Sequence, residues 1–151
     1  MSILSRLPIL ASLAMLVTPC PAADEPALKD LPAAVQKTAR EQVGDARIEE
    51  VEDTFEDGQR AYEVEFTRKG EKLALVIAPT GKIVQLEHRL SVQAAPAEIQ
   101  RTVAEKFPGG TISHIKKIDR AGKSFFEVSI THAGKAVTVE IDPKGRLIKG
   151  G

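Results

Sequence analysis

Aromatic residues are scarce in this chain: five Phe, one Tyr and no Trp in 151 residues. Tight protein interfaces concentrate their energy in buried Trp, Tyr and Arg, so the scarcity argues against a contact surface built on several aromatic anchors. Cysteine is nearly missing as well. The single one, Cys20, cannot form an internal disulfide. Neither sign of charge is in excess, with 21 Lys plus Arg against 21 Asp plus Glu. That balance argues against a nucleic-acid partner, which requires a basic surplus to neutralise phosphates. No apolar run is long enough to span a bilayer, because Leu7 to Val17 stops short of one.

The start of the chain reads as an export signal. Arg6 supplies a positive n-region, Leu7–Val17 an apolar h-region, and Cys20-Pro21-Ala22 the small residues of a cleavage site, which predicts cleavage after Ala22. The alternative is a lipoprotein signal with Cys20 acylated, against which Pro19 stands where Gly, Ala or Ser is wanted. With residues 1–22 removed as a signal peptide, the protein is periplasmic or secreted and its stability rests on packing alone. Residues 23–30 read as a mobile lead.

What is present is one module written twice. Tyr62-Glu63-Val64-Glu65-Phe66-Thr67 returns as Phe126-Glu127-Val128-Ser129-Ile130-Thr131, and Ile77-Ala78-Pro79-Thr80-Gly81 as Ile141-Asp142-Pro143-Lys144-Gly145. The offset is 64 positions throughout, without a gap. Pro32 opens a helix with Val35, Ala39 and Val43 on one face, and Gly44 stops it. Pro96 opens its counterpart, with Ile99, Val103 and Phe107. Each helix is followed by four strands. Asp57-Gly58 and Ala121-Gly122 mark the first hairpin of each copy. In the second and third strands Tyr62, Val64, Phe66, Leu73, Leu75 and Ile77 face inward, and so do their equivalents in the second copy. Ile48 and Val51 break the alternation, as do Ile112 and Ile115, which predicts a bulge at the same place in both copies. The fold class expected is α+β: two tandem repeats of one helix packed on a four-stranded antiparallel sheet, residues 31–88 and 96–151, joined by a linker at 89–95.

Leu31-Pro32-Ala33-Ala34-Val35, Asp57-Gly58, Tyr62-Glu63-Val64 and Asp142-Pro143-Lys144-Gly145-Arg146-Leu147 together resemble the PepSY-like family. The resemblance spans about residues 31–149 and extends to the β-lactamase-inhibitor-like group, whose inhibitory protein is also a tandem repeat. It implies an exported bacterial module that binds, and restrains, another protein. The motifs are turns, caps and core positions, with no catalytic residue among them.

The outward strand positions decide how such a module makes contact. They include Ala61, Glu63, Glu65 and Thr67 in the first copy and Phe125, Glu127, Ser129 and Thr131 in the second. Among these, Glu63, Glu65, Phe125 and Glu127 are the candidate partner-binding residues, Phe125 being the one large anchor. The run Glu49, Glu50, Glu52, Asp53, Glu56 and Asp57 reads as a solvated strand and turn, because alternation splits its carboxylates between two faces and a calcium loop's spacing is missing. His88, His114 and His132 lie on different elements, without metal-ligand spacing. No nucleophile elbow or phosphate loop is present. The expectation is a non-enzymatic protein- or peptide-binding module with no cofactor and no metal. The alternative is an envelope protein responsive to a small ligand or divalent metal, with the carboxylate run as its site. Finally, Glu52, Asp53 and Glu56 become Lys116, Lys117 and Arg120 in the second copy. If the copies pack about a pseudo-two-fold axis, these two strands face each other with opposite charge; otherwise the two surfaces have simply diverged.

Overall fold

A computed structural model describes residues 27–150. The chain runs α1 (Ala33–Val43), β1 (Ile48–Glu56), β2 (Gln59–Arg68), β3 (Glu71–Ile77), β4 (Ile83–Leu90), α2 (Ala97–Lys106), β5 (Thr111–Arg120), β6 (Lys123–His132), β7 (Lys135–Ile141) and β8 (Leu147–Lys149). The expected signal peptide and its cleavage site lie outside the described residues.

Local chemistry accounts for the elements. Pro32 and Pro96 stand at the N-caps of the helices, where a missing N–H leaves nothing unsatisfied. The first two hairpins of each repeat turn on a residue followed by glycine, both at positive φ: Asp57-Gly58, Lys69-Gly70, Ala121-Gly122 and Ala133-Gly134. This is the two-residue turn whose twist matches that of paired strands. Ladder register slips between Ile48 and Glu50, and again between Ile112 and His114, so the irregular spacing is a bulge built into both copies.

Two separate cores result. Val35, Ala39 and Val43 of α1 pack on Val64, Phe66, Leu75 and Ile77, while Ile99 and Val103 of α2 pack on Val128, Ile130, Val139 and Ile141. The expected inward residues Val64, Ile77, Val128 and Ile141 are all fully buried. The β3–β4 turn is pinned to its helix by Thr38, whose hydroxyl donates to the Gly81 carbonyl at 2.8 Å. Thr102 does the same to Gly145 at 2.6 Å in the second repeat. Both glycines hold positive φ, and a Cβ on Gly81 would lie 2.9 Å from the Ala34 carbonyl oxygen.

The sheets do not stay separate. All eight strands form one antiparallel sheet in the order β1 to β8, because β4 pairs with β5. A four-stranded sheet in each repeat is therefore corrected to one eight-stranded sheet with both helices. Arg89 and Leu90, expected in the linker, belong to β4 and pair with Lys116 and Ile115; a 3₁₀ turn at Val92–Ala94 makes the remaining connection. The end of the expected mobile lead is also structured, as Leu28–Asp30 forms a 3₁₀ turn with Leu28 packed on the first core.

The pseudo-two-fold packing is overturned as well. β1 is an edge strand and β5 lies inside the sheet, so the acidic and basic strands are not neighbours. Position explains the charges. Carboxylates on an edge discourage pairing with another chain, whereas a strand set between Glu87 and Glu127 requires cations. One of the expected pairs nevertheless forms, between Glu56 and Arg120. In a flat sheet β1 and β5 would be about 19 Å apart, four strand spacings. Their contact therefore means that the sheet coils towards the face without helices.

Candidate partner-binding face

Ladder register fixes which side chains share the open face. One row runs Glu52, Glu63, Val76, Gln85, Arg120, Lys123; the next runs Glu50, Glu65, Ala74, Glu87, Ile118, Phe125. A third runs Thr67, Lys72, Arg89, Lys116, Glu127, Glu140. All four candidate residues, Glu63, Glu65, Phe125 and Glu127, thus lie on this face, spread over β2 and β6.

The floor of the face is apolar and small. Ala61, Ala74, Val76, Ile118 and Phe125 are buried although no helix covers them and they belong to neither core. Long charged side chains cover them instead. Lys116 lies 2.6 Å from Glu87 and 3.9 Å from Glu63. Arg89 lies 2.6 Å from Glu65. Arg120 joins Glu56 to Glu140, the latter at 3.5 Å, and its guanidinium sits 4.9 Å from the Phe125 ring centre. Phe125 is accordingly the floor of a cleft beneath Arg120, not a protruding anchor. Sequence reasoning missed Lys116, Arg89 and Glu87, because only the β4–β5 pairing brings them together.

Burial perturbs these groups. The Glu63 carboxyl is pushed up to about 7, first by desolvation and then by the Glu87 charge, with Lys116 opposing. Glu127 is raised for the same leading reason, desolvation, with Lys116 again opposing. For Lys116, burial works against the charge, but hydrogen bonding to Glu87 and the surrounding carboxylates outweigh it and raise its pKa. Gln85, also buried, donates to Glu87 at 2.7 Å and leaves its own Oε1 without a hydrogen-bond partner.

Two depressions flank the Arg120 pairs at one end of the face. One, of about 300 Å³, includes Ala61, Lys82 and Ile83; the other, of about 640 Å³, is floored by Phe125 and bordered by Glu140 and Arg146. Elsewhere the groups singled out for metal binding are dispersed. Asp53 faces the helix side, held by Arg60 at 2.9 Å, while Glu50 and Glu52 lie on the open face. His88 approaches Glu71, and His132 packs edge-on against Phe107. Among the described residues no three His, Cys, Asp or Glu converge as metal ligands. No helix among them is long and apolar enough to cross a membrane.

Two helices on one side of a single antiparallel sheet, built from tandem halves, define an α+β repeat protein. The profile of the PepSY family, described as "Peptidase propeptide and YPEB domain", matches residues 32–85 and 94–145, and the chain belongs to that family. Solved structures share the fold at low identity. A DUF2874 family protein from Bacteroides uniformis is 16% identical, with 80% of this chain and 88% of that one covered and a TM-score of 0.65. A protein from Bacteroides eggerthii, described as a candidate periplasmic protein, is 15% identical over 80% and 88%, with a TM-score of 0.64. A BLIP-like protein from Bacteroides fragilis is 14% identical over 78% and 83%, with a TM-score of 0.60. A comparison with curated proteins returned no match.

Proposed function

We propose that this chain is a non-catalytic module working outside the cytoplasm, and that it binds another protein or peptide through the open face of its sheet. The carrying observation is that face itself: it coils inward, has no helix over it, and sets Glu63, Glu65 and Glu127 around a small apolar floor that includes Phe125. The repeated turn glycines support a non-catalytic role, since Gly81 and Gly145 are held to the helices by Thr38 and Thr102. The export-type start of the chain and the description of the Bacteroides eggerthii neighbour support the location. Site-specific photo-crosslinking in envelope extract tests the reading. A crosslinker at Thr131 or Thr138, on the open face, should capture one defined protein. The same group at Glu41 or Arg101, on the outer sides of the helices, should not. Capture from the helix positions alone would reject it.

A further inference from the structure

The charges on the open face do not balance. Its three rows carry Glu50, Glu52, Glu63, Glu65, Glu87, Glu127 and Glu140 against Lys72, Arg89, Lys116, Arg120 and Lys123, and Lys149 approaches Glu140 at 4.0 Å. Lys116 is shared between Glu63 and Glu87, and Arg120 between Glu56 and Glu140. The acceptors are therefore in surplus, and one is stranded: Gln85, 5% exposed, has its amide beside the Glu87 carboxylate and its Oε1 unpartnered. A buried acceptor without a donor is costly, and beside a carboxylate it favours a cationic donor.

We propose that the open face receives a Lys- or Arg-bearing segment of the partner, whose cationic head groups sit beside Lys116 and Arg120 among Glu63, Glu87, Glu127 and Glu140. This rests on the reading of that face as the docking surface. The spread of the carboxylates selects a polypeptide over a single ion. Among the described residues no three of these carboxylates converge on one metal ion, whereas successive side chains of an extended segment can each take a different carboxylate. The two depressions beside Arg120, lined by Ala61 and Ile83 and by Phe125, leave room for aliphatic stems.

Proton linkage follows. Glu63 is faced by Glu52 from β1, Glu65 from its own strand, Glu87 from β4 and Lys116 from β5, and with its carboxyl near 7 it is partly protonated at neutral pH. An arriving cation favours the ionised form, so binding releases a proton and tightens as pH rises.

Isothermal titration of the full chain with a short peptide alternating lysine and alanine tests this, with a glutamate–alanine peptide of equal length as control. The basic peptide should bind and the acidic one should not. Combining Glu63→Gln with Glu127→Gln should weaken binding by about tenfold, whereas Glu41→Gln on the outer side of α1 should leave it unchanged. Between about pH 6 and about pH 8 the wild-type chain should gain affinity, and Glu63→Gln should flatten that gain. In the wild-type chain alone, which needs no variant to fold, rising salt should weaken the binding steeply. No heat with the basic peptide overturns the proposal. So does equal loss on Glu41→Gln, heat with calcium chloride in place of peptide, or self-association accounting for the signal. If the peptide is silent while crosslinks persist from Thr131 and Thr138, the docking face stands and its cationic partner chemistry fails. Loss of those crosslinks rejects the docking face itself.

Discussion

At the scale of single residues, burial separates two kinds of strand position. Val64 and Ile141 are fully buried beneath the helices, so Val64→Ala or Ile141→Ala should cost about 2–4 kcal/mol in urea unfolding. Thr131 is exposed, and Thr131→Ala should stay within about 0.5 kcal/mol. Equal costs at the two kinds of site would mean that the faces are assigned wrongly. Glu65 falls between. Alternation alone places it outward and makes it expendable, yet Arg89 holds it at 2.6 Å, so Glu65→Ala should cost about 1 kcal/mol. Lys116 matters more, because Lys116→Met leaves the buried Glu87 facing the partly buried Glu63. The loss should be about 2–3 kcal/mol, below the range for a fully buried pair. Glu63 adds a pH dependence of definite sign. Its folded pKa of about 7 lies above the ordinary 4.5, so the folded chain holds the proton more tightly than the unfolded one. This group's contribution to stability is therefore greatest at low pH and falls as pH rises from about 4.5 to about 7. Glu63→Gln should remove that part of the decline, read as the difference between the two stability–pH curves.

At the scale of elements, most of the repeat was legible and the reasons are local. Period-two alternation in β2 and β6, Pro before each helix, and X-Gly turns are rules about neighbouring residues, and each produced the element expected. The paired irregularity at Ile48 and Ile112 was legible because it occurred twice. The turn clamp was not. Thr38 reads as an ordinary helix residue until Gly81, distant in sequence, comes within 2.8 Å of its hydroxyl. The clamp gives glycine two kinds of duty. Gly81→Ala should cost about 1–3 kcal/mol, since positive φ and the Ala34 carbonyl both oppose a Cβ. Gly70→Ala, at similar φ but with open space around it, should cost about 1 kcal/mol. Thermal unfolding of the two variants side by side checks the difference.

At the scale of the whole molecule, the sequence showed two copies but not how they join. Pairing of β4 with β5 is a choice between sheet edges, and no local pattern encodes it. The opposite charges of β1 and β5 were visible, but their meaning changed with the topology. They mark an edge and an interior strand, with Glu56 and Arg120 meeting across the coiled sheet. Arg120→Glu should therefore destabilise the chain. Adding Glu56→Arg should restore only part of the loss, since Glu140 and Phe125 also hold Arg120. The proposed docking face is a product of the same joining, as its carboxylates come from strands of both repeats. Mapping amide NMR shifts during titration with the lysine–alanine peptide tests this account most directly. It predicts shifts along β2, β4, β5 and β6, centred on Glu63, Glu87, Lys116 and Glu127, with α1 and α2 quiet. Shifts centred on the helices, or confined to one repeat, would contradict it.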